Sequence, residues 1–261
     1  MNDETIERVD EVSRHYDPAV KLESIGAFLF WLNASFSLSI LFLAVLPSLL
    51  QSTIPFVFVT TVLVQFVISQ VNRFYLIPKA ERMRREQMLS DAFGAPLSHE
   101  KTSLYYNNSY SPSIQRLGAN TMENALFSME VAAEILVSKR LLIGVYLAIW
   151  LLIFSIRNID LDLIVWITQL VFSGEIIVQW LNLEVLRMRQ EHTYDKLYSH
   201  FLHEIGGESQ RAIATILASF VAYETAKSSA SYLLSSKVFN KHNPKITRKW
   251  EKVRTELKMN F

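Results

Sequence analysis

The chain contains no cysteine, which excludes disulfides, cysteine-based zinc sites and thiol nucleophiles. With only seven glycines in 261 residues, it also has no glycine-rich phosphate loop and no Gly-x-Ser-x-Gly nucleophile elbow. A His-Glu-x-x-His zinc motif is missing as well. We therefore expect no enzyme activity, no catalytic residues, no metal and no cofactor.

Charge is also missing over a long stretch of the chain. No Asp, Glu, Lys or Arg occurs from Ser24 to Asn72, a run of 49 residues. A helix at the surface of a soluble protein needs a polar face, and this run supplies none. A bilayer core takes ~20 apolar residues as helix, so the run is long enough for two spans. Pro47 and Pro55 favour a tight, uncharged turn in the middle. The two predicted spans are residues 26–46 and 54–76.

A second apolar pair follows near the other end of the chain. Leu141 to Ile156 is free of charged residues, and a short polar turn separates it from a span over residues 163–183. The sequence therefore predicts an all-α, polytopic helical membrane protein with two transmembrane hairpins, four spans and a mostly helical cytosolic region. Four spans in one monomer are too few for a wide pore, so we expect homo-oligomers.

Basic residues lie beside the predicted spans, on one side of the membrane. Examples are Arg84 and Arg85 after the second span and Arg187 after the fourth. The positive-inside rule then places both termini and the central segment in the cytoplasm of an inner-membrane protein. The predicted division is a cytosolic N-terminal segment (1–24), transmembrane hairpin 1 (25–77), a cytosolic helical and loop segment (78–138), transmembrane hairpin 2 (139–183), a cytosolic helical segment (184–236) and a basic C-terminal tail (237–261).

The soluble segments are mostly typical of helix. We expect helices over 79–93, ended by Gly94, and over 113–138, running into the third span. Another helix is expected over 209–236, and Pro244 is expected to break the basic tail.

Four polar residues inside the spans are candidate pore or gating residues. Glu175 is costly in lipid and should face other helices or water, with Gln169 and Gln179 along the same span. The same pattern fits a static interhelical hydrogen bond, or a span shifted so that Glu175 lies near the headgroups. Asn33 in the first span heads a polar stripe that suits helix packing or contact between subunits.

The central segment concentrates aromatic rings, amides and one arginine. These groups stack on bases, hydrogen-bond to base edges and pair with phosphate. Asn, Ser and Pro also make turns, and tyrosines pin loops to helices, so a purely structural role is equally consistent. The candidate ligand-binding residues are Tyr105, Tyr106, Asn107, Asn108, Arg116 and Asn120.

The layout resembles a known family. Two hairpins enclose Arg84-Arg85-Glu86-Gln87, Tyr105-Tyr106-Asn107-Asn108 and a stretch from Arg116 to Asn124, over roughly residues 10–235. This is similar to the predicted pore-forming effectors with four transmembrane helices that accompany bacterial SMODS nucleotidyltransferases in anti-phage (CBASS-type) systems. The resemblance implies an antiviral role in which a cyclic oligonucleotide binds the cytosolic part and the membrane part then permeabilises the inner membrane.

Other functions stay open at this stage. A membrane-anchored helical scaffold that recruits a cytosolic protein would use the basic tail to hold anionic lipid or that protein. A small transporter or channel would use the polar residues of the spans. The lipid bilayer is an expected contact in each case, and no DNA or RNA polymer is expected as a ligand.

Overall fold

Most of the chain is α-helical. The computed structural model describes residues 9–40, 45–100, 102–103, 105–108, 110–156, 163–203 and 209–259. The described helices are α1 (Asp17–Ile40), α2 (Ser48–Val71), α3 (Ile77–Phe93), α4 (Ile114–Ile156), α5 (Leu163–His203), α6 (Gln210–Ala230) and α7 (Ser236–Glu256). A 3-10 helix (Glu11–Tyr16) leads into α1, and a π-helical turn (Asn72–Leu76) joins α2 to α3. Strands β1 (Val9–Asp10) and β2 (Thr102–Ser103) form one short antiparallel pair.

The all-helical class is confirmed, and one helix has the properties of a membrane span. Together, α2, the π-helical turn and α3 form a helix of 46 residues whose most apolar window has a mean hydropathy of 2.0. Among the described residues it is the one helix that is long and apolar enough to cross a bilayer. Four spans remain a prediction, and the polar turn over 157–162 lies outside the described residues.

Helices α1 and α2 form an antiparallel hairpin with a polar contact between them. The Asn33 side chain, fully buried, donates to Gln65 Oε1 (2.7 Å) and accepts from Thr61 Oγ1 (2.5 Å). The predicted turn up to residue 53 is wrong, because α2 already begins at Ser48 and Pro55 lies inside it. The carbonyl that Pro55 leaves without a donor belongs to Gln51, which is exposed.

Two hydrophobic cores lie along the length of the molecule. The larger packs α3 to α7 together around fully buried residues, including Met88, Leu117, Leu126, Ile216 and Trp250. The smaller joins α1, α2 and α4 through Ile40, Phe58, Val62 and Ile143. Helix α4 contributes to both cores. It therefore connects the part around the smaller core, which we call the apolar half, to the part around the larger core, which we call the polar half.

Helix ends follow the local sequence signals. Helix α3 ends at Phe93, and Gly94 adopts the left-handed conformation (φ 62°) that favours glycine, as predicted. Ser209 caps α6 by accepting a hydrogen bond from the Ala212 amide at 3.1 Å. The prediction that the helix over 113–138 continues into the third apolar stretch is confirmed, because α4 is unbroken for 43 residues.

The C-terminal segment differs from the expectation. Helix α7 runs through Pro244, so the predicted break there is wrong. Ile246, Trp250 and Val253 are buried against the larger core. This packing of one apolar face outweighs the ~3 kcal/mol that proline costs inside a helix.

Candidate ligand-binding cavity

The polar half of the molecule encloses a cavity of about 560 Å³. Its walls come from helices α3 to α7, the segment over 105–107, the linker between α6 and α7, the N-terminal segment before α1 and Val20 of α1. Exposed Ser13 and Asn240 mark its edge toward solvent. This volume lies within the ~300–1,000 Å³ typical of small-molecule sites. We call it the ligand cavity.

Arg84 of α3 is the first cation in this wall. Its side chain is 13% exposed, and its Nη2 donates to Asp10 Oδ2 at 3.0 Å. The guanidinium carbon lies 4.6 Å from the centre of the Tyr105 ring, which is a cation–π distance. Burial alone would lower the pKa of Arg84, but Tyr105 and Asp10 raise it, and the net pKa lies above its ordinary value. The guanidinium is therefore charged at every accessible pH.

Lys227 of α6 is the second cation. It forms an ion pair with Glu81 of α3, and its ammonium lies 5.5 Å from the centre of the Tyr223 ring. Burial would lower the pKa of Lys227, but Glu81, Tyr223 and Tyr16 raise it well above its ordinary value. Burial in turn raises the pKa of Tyr223 to about 12. Arg84 and Lys227 thus bring two permanent positive charges into one cavity.

The segment over 105–107 is tied to the cavity wall by specific hydrogen bonds. The Asn107 amide and side chain donate to Glu123 of α4, at 3.1 and 2.6 Å. Its carbonyl accepts from Arg254 of α7 at 3.0 Å and from Trp250 Nε1 at 3.3 Å. The Tyr106 hydroxyl accepts from Asn124 at 3.3 Å. These bonds position both tyrosine rings, which meet edge to face at 4.9 Å.

The six predicted ligand residues divide into two groups. Tyr105, Tyr106 and Asn107 line the ligand cavity. The other three, Asn108, Arg116 and Asn120, do not line the cavity. They belong to a separate hydrogen-bond network that is centred on Asp91 of α3.

Ion pairing and amide bonds hold that network together. Arg116 donates twice to Asp91, at 2.7 and 3.1 Å. Asn120 donates to Asp91 at 2.8 Å and accepts from Asn108 at 2.7 Å. These bonds pair the Asp91 carboxylate with a guanidinium and an amide. Through Asn108 they also hold the segment over 105–108 against α3 and α4.

The predicted gating residues occupy other places. Asn33 is buried in the α1–α2 contact, as described above. Gln179 lines a second cavity of about 320 Å³, together with Gln65 and Asn72 of the first hairpin. The side chains of Gln169 and Glu175 lie outside the described residues.

Sequence reasoning missed several residues that define the cavity. Arg84 was interpreted as a topology signal and as part of the family resemblance, not as a ligand-binding residue. Lys227, Glu81, Tyr223 and Asp10 were not singled out. Lys227 could have been noticed in the sequence, because α6 contains only two basic residues and Arg211 is the other. Its contact with Glu81 spans well over 100 residues of sequence, so no local pattern could reveal it.

The arrangement suits recognition of a ligand that has both aromatic and anionic parts. Tyrosine faces provide stacking surfaces, asparagine side chains provide donors and acceptors, and the two cations match phosphate. Among the described residues, no group of three or more His, Asp or Glu is placed to hold a metal ion. Comparisons with protein-family models, curated proteins and solved structures found no match.

Proposed function

We propose that this chain is a membrane-embedded effector of bacterial anti-phage defence that is gated by a cyclic oligonucleotide. It crosses the inner membrane four times with both termini in the cytoplasm, binds the nucleotide in the ligand cavity, forms homo-oligomers and permeabilises the membrane. One observation carries the proposal: residues of α3, α4 and α5 line the ligand cavity, and each of these helices is continuous with an apolar helical stretch.

Exposed apolar side chains support a lipid environment. On α2, Phe56 is 72% exposed and Leu63 is 59% exposed. On α4, Leu141 and Leu151 are 71% and 70% exposed. Soluble monomers rarely expose contiguous apolar patches of this kind. In a bilayer these side chains would contact lipid instead of water, so their exposure would carry no hydrophobic penalty.

The chemistry of the ligand cavity supports a nucleotide rather than a purely apolar ligand. Bases stack on aromatic side chains with a gain of ~1–3 kcal/mol per base, and Tyr105 and Tyr106 provide such rings. Phosphodiesters pair with guanidinium and ammonium groups, which Arg84 and Lys227 provide. The resemblance to SMODS-associated effectors points to the same ligand class.

Continuous helices give the ligand a mechanical route to the membrane. A ligand shifts an equilibrium only by binding one state more tightly than the other. Contacts to α3 and α4 at the cavity would change how these helices pack, and the same helices extend into the apolar half. Rotation of the apolar stretches would then favour assembly of several subunits around a pore.

Dye release from liposomes tests the proposal. Full-length protein is reconstituted into vesicles of phosphatidylethanolamine and phosphatidylglycerol and exposed to a panel of cyclic di- and trinucleotides. We expect at least one of them to trigger leakage. Tyr105→Leu should raise its half-maximal concentration about tenfold, because a stacking surface is lost. Tyr198→Leu is the matched control, since Tyr198 is also a half-buried tyrosine but does not line the ligand cavity. Absence of nucleotide-dependent leakage across the whole panel would refute the proposal.

A further inference from the structure

The guanidinium of Arg84 is only partly used in this structure. Its Nη2 donates to Asp10 Oδ2, while its Nη1 is buried without a hydrogen-bond partner. A buried donor left unpaired costs free energy, so it marks a place where a further acceptor would be stabilising. The Tyr105 ring lies over one face of the guanidinium, and the buried Nη1 can take a new acceptor once a neighbouring group moves aside.

The carboxylate of Asp10 binds only one of the two terminal nitrogens of Arg84 in this structure. Its Oδ1 accepts from the Ser13 amide at 3.2 Å and caps the 3-10 helix. Oδ2 contacts Arg84 through a single hydrogen bond. A phosphate offers several oxygens in the geometry that a guanidinium fork binds with two parallel bonds.

Carboxylates outnumber cations in the ligand cavity by three to two. Asp10 faces Arg84, Glu81 faces Lys227, and Glu123 holds the Asn107 amides. An anionic ligand therefore meets repulsion unless one carboxylate leaves. Asp10 is the one that can move most easily, because it belongs to a two-residue strand near the N-terminus and its side chain is 23% exposed.

We propose that Arg84 is the phosphate subsite of the ligand cavity and that the chain's own Asp10 carboxylate occupies it until a ligand phosphate displaces it. This inference rests on the proposed function, which supplies the phosphate as part of a cyclic oligonucleotide. It selects Arg84 from the two cations as the phosphate subsite and adds the residue that competes with the phosphate.

Displacement of Asp10 would also affect the apolar half of the molecule. Asp10 caps the 3-10 helix over Glu11–Tyr16, which runs directly into α1. Helix α1 packs along α2, and Asn72 of the π-helical turn that follows α2 donates to the Ala19 carbonyl at 3.1 Å. Loss of the Asp10–Arg84 contact therefore removes one of the contacts that hold the segment before α1, and this segment links the ligand cavity to the first hairpin.

Phosphate titration of the full-length protein in detergent micelles tests the subsite. The thermal unfolding midpoint is followed as inorganic phosphate replaces chloride at constant ionic strength. For Asp10→Asn we expect the half-saturating phosphate concentration to fall about tenfold, a factor that corresponds to about 1.4 kcal/mol. Asparagine caps helices as well as aspartate does, so the variant keeps the 3-10 helix. Asp10→Ser, which also caps, provides an independent check on folding.

Two further variants separate the subsite from general effects of phosphate. Asp17→Asn removes the same charge from an exposed position at the start of α1 and should bind phosphate as the wild type does. The double variant Asp10→Asn/Arg84→Gln should lose the tighter phosphate binding that Asp10→Asn gains. The rise of its unfolding midpoint with phosphate then measures the general stabilisation by this salt. An unchanged phosphate response in both Asp10 variants, or a gain that survives the loss of Arg84, would overturn the inference.

The same variants in the liposome assay distinguish this inference from the proposed function. We expect Asp10→Asn to leak at a lower nucleotide concentration than the wild type and Asp17→Asn to match the wild type. Nucleotide-dependent leakage that is unaffected by Asp10→Asn would overturn the masked subsite and leave the effector function standing. Tighter phosphate binding by Asp10→Asn, with no leakage for any nucleotide, would support the subsite and refute the effector function.

Discussion

Replacing Lys227 by methionine should destabilise the protein strongly. The Lys227 side chain is 17% exposed, and that of Glu81, its ion-pair partner, is 11% exposed. Methionine keeps much of the volume but leaves the Glu81 carboxylate buried without a counter-charge. Removing one member of a buried pair costs ~3–5 kcal/mol. For a chain of this size, that lowers the thermal unfolding midpoint by roughly 6 to 20 °C.

Two comparisons make this prediction specific to the buried pair. Lys249→Met breaks a pair with Glu130 whose side chains are 49% and 23% exposed, and an exposed pair contributes only ~0–1 kcal/mol. Lys227→Met combined with Glu81→Gln removes both charges and should recover most of the lost stability. Midpoints are measured in detergent micelles by intrinsic fluorescence. Equal losses for Lys227→Met and Lys249→Met, or no recovery in the double variant, would refute the reasoning.

Three further predictions follow from the larger core and the ligand cavity. Burial raises the pKa of Tyr223 to about 12 from an unfolded value of ~10. Its neutral form therefore stabilises the fold below pH ~10, and this contribution is lost as the pH rises toward 12. Tyr223→Phe should make the loss of stability over this range shallower, as measured by alkaline unfolding. Gly118→Val should cost ~1–3 kcal/mol or more, because an added Cβ would already lie 3.0 Å from Phe201 Cζ and 3.2 Å from Ile216, and a lower unfolding midpoint would show it. Trp250→Ala should cost ~3–5 kcal/mol because this side chain is fully buried, so a variant with an unchanged midpoint would refute the packing of α7.

The sequence predicted those parts of the fold that depend on local signals. Gly94 ends α3 because a left-handed residue is needed there, and the apolar pattern after residue 113 continues as the unbroken α4. The prediction failed at Pro55 and Pro244, where packing or position in the helix outweighs the local cost of proline. Local propensity is a weak guide wherever tertiary contacts decide.

The ligand cavity was only half predictable for a related reason. Tyr105, Tyr106 and Asn107 could be found because aromatic and amide residues cluster within one short segment. The charges that complete the cavity come from α3, α4, α6 and the N-terminal segment. Arg84 and Lys227 meet there only through the packing of helices far apart in the chain, and no spacing rule connects them.

Collision accessibility of spin labels in a lipid bilayer tests the membrane assignment most directly. The chain has no cysteine, so a single cysteine can be introduced and labelled without background. Leu63 of α2 and Val221 of α6 are suitable sites, because both are 59% exposed but lie in the apolar and polar halves respectively. We predict that a label at residue 63 collides with oxygen and is protected from a water-soluble nickel chelate, and that a label at residue 221 shows the reverse. Equal access of the nickel chelate to both labels would contradict the proposed placement of the α1–α2 hairpin in the bilayer.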